Sequence, residues 1–212
     1  MNTFTPETFF DLTQCSFADL FAEKAYVWDV LKILSQYIEE QFSNGKIVAN
    51  YKDSKNIFIG EGTIIEEGAL IKGPAIIGKN CFIGHTAYLR QHCILEDSVS
   101  IGHGSEVKNS ILFSKSAVAH LNYIGDSIVG HDVNIGGGAK TANFRLDGNT
   151  IPVKSEKEKI DTGLIKFGAI LGDKTKIGVN TVLNPGTILG KNVHVFPLKL
   201  IFGTHEDDSV IK

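Results

Sequence analysis

From Ile59 the aliphatic residues of this chain fall on a six-residue beat: Ile59, Ile65, Ile71, Ile77, Ile83, Leu89, Leu95, Ile101 and Val107 follow one another without a gap. Four residues after each beat stands a mostly small side chain, among them Thr63, Ala69, Ala75, Cys81, Ala87, Cys93 and Ser105. Glycine follows the beat at Gly60, Gly78, Gly84 and Gly102, and after a disturbed middle Leu171, Ile177, Leu183, Leu189 and Val195 resume it. A helix repeats every 3.6 residues and an ordinary strand every two, so neither explains a period of six. A fixed short repeat is the mark of a solenoid, whose units are stable only against their neighbours. Three short strands joined by tight bends satisfy the pattern: the aliphatic residue points inward and the small one fits near a crowded corner. Three hexads then make one triangular coil. Cys81 and Cys93 occupy the small-residue slot and read as packing residues rather than nucleophiles or metal ligands.

Residues 1–50 follow a different rule. Thr5-Pro6 reads as an N-cap with proline in the first helical position, and Ser16 with Asp19 as a second start signal. Val27, Val30, Leu31, Leu34, Ile38 and Phe42 recur at helical spacing, and Asn44-Gly45 supplies a stop. Such a helix packs either on its own domain or on a partner. The expected organisation is a helical segment over 1–50, a β-helix over 51–203 with an inserted loop at about 145–166, and a C-terminal tail over 204–212.

A coil of three hexads stacks every eighteenth residue, one strand spacing apart, about 4.8 Å. Lys72, Arg90 and Lys108 stand in that relation, each directly after its beat, and so do His85 and His103. Stacked cations repel unless they splay into solvent or share an anion, and an arginine fork beside a lysine suits a phosphate. Both readings stay open on spacing alone. Two histidines make a poor metal site. The metre then breaks: Val107 to Ile124 is 17 residues, one short of a coil, and Ile124 to Ile135 is 11. His120 and Tyr123 fall inside the first short interval, and Asn134 lies at the end of the second.

Charge narrows the partners. A net charge of −3 and a pI near 6.2 give no general attraction for nucleic acid or an anionic membrane. No apolar run approaches the roughly 18 residues of a membrane span, and no basic stretch precedes a hydrophobic one at the N-terminus. Three cysteines without a C-x-x-C spacing point to a reducing, cytoplasmic setting.

The segment "KNSILFSKSAVAHLNYIGDSIVGHDVNIGGGAKTANFRLDG", residues 108–148, carries a more specific signal. It resembles the acetyltransferase domain of the bifunctional enzyme that makes UDP-N-acetylglucosamine. It is closer still to the archaeal sugar-1-phosphate versions, which share "HLNYIGDSIVG", "ANFRLDG" and "TGLIKFGAILGD". The resemblance covers about residues 88–196. It implies an all-β fold, a left-handed parallel β-helix of hexapeptide repeats, assembled as a homotrimer with the donor between neighbouring coils. It also implies transfer of an acetyl group from acetyl-CoA, as co-substrate, to the amine of a glucosamine-1-phosphate-like amino sugar, with no metal required. By that resemblance His120 is the general base and Glu106 the carboxylate near it. Arg90 and Lys108 bind the sugar phosphate, Tyr123 and Asn134 bind the sugar, and Asn143 contacts the acetyl donor.

Those residue types suit the reaction. Imidazole titrates near working pH and can take the proton an amine must shed on attacking a thioester. Glu106 could fix its tautomer, and a backbone N–H or Asn143 could stabilise the oxyanion. Two departures stand out. Asn149 occupies the place of a substrate-binding lysine in the bacterial relatives, which Lys154 or Lys166 in the loop over 149–166 could replace. No Gly-rich nucleotidylyltransferase signature appears, so the pyrophosphorylase activity of the bifunctional enzymes is not expected here. A non-catalytic β-helix that binds sugar phosphate or organises a partner is the alternative. A γ-class carbonic anhydrase, which needs three zinc-binding histidines, lacks its H-x-x-x-x-H pair.

Overall fold

The computed structural model describes residues 4–154 and 159–212. Two sheets of eight strands and one of seven run the length of the molecule, every pairing within them parallel. Each coil contributes one short strand to each sheet. The first sheet begins at Ile57–Ile59, the second at Ile64–Ile65 and the third at Leu70–Ile71. Register fixes the coil length: Ile65 pairs with Ile83, Ile83 with Ile101, Ile71 with Leu89 and Leu89 with Val107. One circuit therefore takes three hexads, and the beat residues line a continuous buried core along the axis. Corners are made by single residues of positive φ, often Asn, Asp or Ser, whose short polar side chains tolerate that conformation: Asn80, Ser98, Asp132, Asn180 and Asn192 are examples.

The broken metre lies elsewhere than the sequence suggested. Leu112, Val118 and Ile124 keep the six-residue step, so the corner bearing His120 is of full length. The missing residues fall at two stacked corners between the third and first sheets, Lys108–Ser110 and Gly125–Ser127. Leu95 pairs with Leu112, and Leu112 with Val129, at 17 residues. Both corners use one device. Asn109 (φ 44) and Asp126 (φ 48) turn the chain. The serine after each donates its hydroxyl to the carbonyl two residues back, Ser110 to Lys108 at 2.7 Å and Ser127 to Gly125 at 2.8 Å.

The first sheet is buried on both sides. Its outer face presents Ile76, Ile94, Ile111, Ile128, Ile170 and Ile188 to a second core formed with the N-terminal helices. These are Pro6–Phe9, Ala18–Phe21 and Asp29–Ser43; the last turns Val30, Leu31, Leu34 and Ile38 inward. Phe113 sits centrally, 4.8 Å from the Phe10 ring and 5.4 Å from that of Phe21. The start signal at Ser16 is not a cap: Phe17 holds that position, and the Ser16 N–H donates to Glu96 at 2.6 Å. Glu96 is buried, and a buried carboxylate requires donors; Ser114 supplies two more.

Residues 204–212 do not form a tail. Thr204–His205 and Val210–Ile211 pair with strands of the first and second sheets and continue the coil. The excursion before Ala169 holds an antiparallel hairpin, Pro152–Lys154 with Lys159–Asp161, whose turn lies outside the described residues. Ile151 and Val153 anchor it in the second core. Among the described residues no helix is long and apolar enough to cross a membrane.

Candidate functional site

The third sheet stays open on its outer face, and most of the candidate residues gather there. Outward positions form two rows. Tyr88, Glu106, Tyr123 and Lys140 are aligned in register in one row. Lys72, Arg90 and Lys108 follow the aligned residues Ile71, Leu89 and Val107 in the other, with Gly125 opposite Lys108. The cation column therefore exists as backbone geometry. Arg90 and Lys108 do not crowd each other, because each holds a carboxylate.

Arg90 Nη1 donates to Glu106 Oε1 at 2.9 Å, and this bond raises the guanidinium pKa. Lys108 Nζ lies 3.2 and 3.1 Å from the two oxygens of Asp126. The pairs differ in burial. The Arg90 and Glu106 side chains are 37% and 33% exposed, whereas those of Lys108 and Asp126 are 20% and 5% exposed. Arg90 is thus free to exchange partners, while Lys108 is a fixed point of charge. Asp126 also accepts from Asn109 Nδ2 at 2.9 Å and from Asn143 Nδ2. Asn143 donates in turn to the Tyr123 hydroxyl at 3.0 Å. Burial, reinforced by the Asp126 charge, pushes the Tyr123 phenol above its ordinary value.

His120 stands at the corner between the second and third sheets, exposed, three residues before Tyr123. Its ring rests on Gly137 of the next coil: a Cβ there would lie 2.7 Å from Nε2 and 2.9 Å from Cδ2. Glycine at 137 therefore makes room for the imidazole. The corner is held by Leu121, a bulky residue at φ 59, whose carbonyl accepts from Lys140 Nζ at 2.5 Å. Below it on the same corner, the rings of His103 and His85 stack at 5.7 Å. His85 Nδ1 is 2.5 Å from the Glu67 carbonyl and His103 Nδ1 is 2.9 Å from that of His85. Backbone contacts thus occupy one nitrogen of each ring.

Asn134 is not brought to this group. It lies on the outer face of the second sheet, between Ala117 and Lys176. Lys166 bridges Phe144, and Lys154 lines a cleft of about 210 Å³ with Arg145, Asn184 and Phe202. Asn149 is exposed near Lys159 and Asp161. A larger cleft, about 630 Å³, opens at the corner of the first and second sheets, lined by Asp11, His131, Asp173 and Lys191 among others. It contains none of the candidate residues, whose face is open rather than concave. Spacing alone missed Asp126, Gly137 and Lys140. Asp126 could have been found from the repeated Asn-Ser and Asp-Ser pairs at the two shortened corners.

Three parallel sheets wound from hexads, with a decorated outer face, define a left-handed β-helix of the hexapeptide-repeat class. A family profile described as the GMPPB C-terminal domain matches residues 53–135 and 71–158, and one described as the hexapeptide repeat of succinyl-transferase matches 168–195. The chain is 36% identical over 190 residues to the bifunctional protein GlmU of Methanococcus aeolicus, a match covering 87% of this chain and 45% of that protein. It is 36% identical over 153 residues to the bifunctional sugar-1-phosphate nucleotidylyltransferase/acetyltransferase of Sulfurisphaera tokodaii, covering 72% of this chain and 38% of that one. The match spans less than half the length of either relative. An N-acyltransferase structure from Bacillus cereus aligns with a TM-score of 0.49 at 17% identity, over 80% of this chain and 82% of that chain. The chain carries the hexapeptide-repeat solenoid that both profiles match. It is similar to the C-terminal part of the bifunctional sugar-1-phosphate enzymes.

Proposed function

We propose that this protein is a CoA-dependent N-acetyltransferase acting on a phosphorylated amino sugar, with His120 as general base. The observation that carries the reading is an exposed imidazole, seated on Gly137, beside a face that offers two cations and an ordered Tyr123–Asn143 pair. The acceptor amine attacks the thioester carbonyl of acetyl-CoA as His120 takes its proton. The new C–N bond forms, the C–S bond breaks, and the departing thiolate takes the proton back from the imidazolium. Acetyl-CoA is thus the co-substrate, and the products are the acetamido sugar and free CoA.

Phosphate binding follows from the two ion pairs. An incoming phosphate displaces Glu106 from the more exposed Arg90 and meets Lys108 where Asp126 already holds it. Glu106, released, belongs to the row of the third sheet next to the His120 corner and can favour the imidazolium. Nearby backbone N–H groups are the oxyanion donors, since both amide hydrogens of Asn143 are held by Tyr123 and Asp126, where they order that side of the site. A homotrimer completes the site. The helices cover the first sheet, so the second sheet of one copy can face the third sheet of the next and bring Asn134 towards Tyr123.

The test is a panel of amino-sugar 1-phosphates mixed with acetyl-CoA and followed by thiol release. At least one acceptor is expected to release CoA in proportion to acetamide formed. Sugar-phosphate binding with no thiol release from any acceptor would instead favour a non-catalytic β-helix.

A further inference from the structure

One member of the cation column has no part in that scheme. Lys72 lies one coil before Arg90 and two before Lys108, in line with both. Arg90 and Lys108 each have a carboxylate within 3.1 Å. Among the described residues Lys72 has none; its Nζ sits 5.3 Å from the centroid of the partly exposed Tyr88 ring. Leu70, 51% exposed, pairs with Tyr88 in register on the same face. Beyond Arg90, therefore, the face changes character. Compensated ion pairs give way to an uncompensated ammonium beside a flat aromatic and an apolar surface.

The order of groups along the axis matters. His120 belongs to the coil of Tyr123; the coils of Lys108, Arg90 and Lys72 follow in that sequence, about 4.8 Å apart. A phosphate shared by Arg90 and Lys108 leaves Lys72 one coil further from the amine than any group of a sugar 1-phosphate. A second phosphoryl group, joined to the first through one bridging oxygen, falls between Arg90 and Lys72. Whatever that group carries then meets Tyr88, whose ring can stack on any nucleobase.

We propose that the acceptor is a nucleoside-diphosphate amino sugar, with its diphosphate along Lys108, Arg90 and Lys72 and its base on Tyr88 and Leu70. The proposal rests on the transfer reading above and deepens it. The reaction is unchanged: the amide C–N bond forms, the thioester C–S bond breaks, and the diphosphate remains intact. Because stacking reads the face of a base and not its edge, one base is not strongly preferred over another.

The test uses the full chain with UDP, UMP and inorganic pyrophosphate titrated by calorimetry, and with UDP-glucosamine and glucosamine 1-phosphate compared as acceptors. UDP is expected to bind more tightly than UMP, which lacks the second phosphoryl group, and than pyrophosphate, which lacks the base. Lys72→Gln should weaken UDP about tenfold and UMP less than about twofold, with Lys72→Arg restoring most of the loss. Tyr88→Leu should weaken UDP but not pyrophosphate. Acetyl transfer should favour UDP-glucosamine, and Lys72→Gln should raise KM for it more than it lowers kcat. Equal affinity for UDP and UMP, an unchanged UDP affinity in Lys72→Gln, or faster transfer to glucosamine 1-phosphate would overturn the proposal. CoA release from neither acceptor, with UDP still bound through Lys72, would overturn the transfer reading while leaving the diphosphate site standing. Lys72 is exposed, so an unaltered melting temperature is expected of its variants.

Discussion

At Gly137 a single methyl group decides where an imidazole can lie. Gly137→Ala puts a carbon 2.7 Å from His120 Nε2, so the ring must swing away. The expected result is a fall in turnover of about a hundredfold with unchanged melting, read by CoA release, since small misplacements of a reacting group are that costly. Asp126 has a structural task as well. Asp126→Ala leaves Lys108, Asn109 and Asn143 without their shared acceptor. Because Lys108 keeps some solvent, the cost should be about 2–4 kcal/mol, measured by urea unfolding. Burial pushes the Cys93 thiol up from 9.0 to about 12. The folded state thus holds that proton more tightly than the unfolded chain. Stability is intact below the ordinary thiol pKa and declines as pH rises from there towards the folded value. Urea midpoints should therefore drop as pH rises from about 9 towards about 12, and drop less in Cys93→Ala. The columns of residues were legible because a period fixes what stacks on what. Asp126 was not, because a period one residue short says that a coil is tight without saying which corner tightened.

Between elements, the N-terminal helices depend on one sheet. Ile76, Ile94, Ile111, Ile128, Ile170 and Ile188 each precede an inward residue on the first sheet, a position that varies between polar and apolar residues on the other two. That recurrent isoleucine was visible in the sequence and marks the docking face. The helical spacing alone left open whether the helix met its own domain or a partner. Phe113, in contact with both Phe10 and Phe21, is the keystone. Phe113→Ala should cost about 3–5 kcal/mol and expose the segment before Gly45 to proteolysis before the coil itself opens. The expected cap at Ser16 failed for a tertiary reason: the buried Glu96 carboxylate claims its N–H. The C-terminal strands escaped notice because Thr204 and His205 break the aliphatic beat where their backbone still pairs.

In the whole molecule, the third sheet is open and Asn134 stands apart from it on the second, a separation that the proposed homotrimer would close. A mass in solution of about three times 23.1 kDa is the expected outcome of light scattering, and a monomer that still turned over would remove Asn134 from the account. The three-hexad coil was legible from its metre, and its left hand only from the family resemblance. Assembly was not, because the repeat governs the inward residues and leaves the outer faces free to vary. The claim on which the rest depends is that the exposed imidazole at 120 performs the proton transfer. Its most direct test is His120→Ala, assayed with acetyl-CoA and the best acceptor while acceptor binding is followed by calorimetry. CoA release should fall by about a hundredfold or more with affinity for the acceptor nearly unchanged. Turnover that survives the substitution would contradict the account.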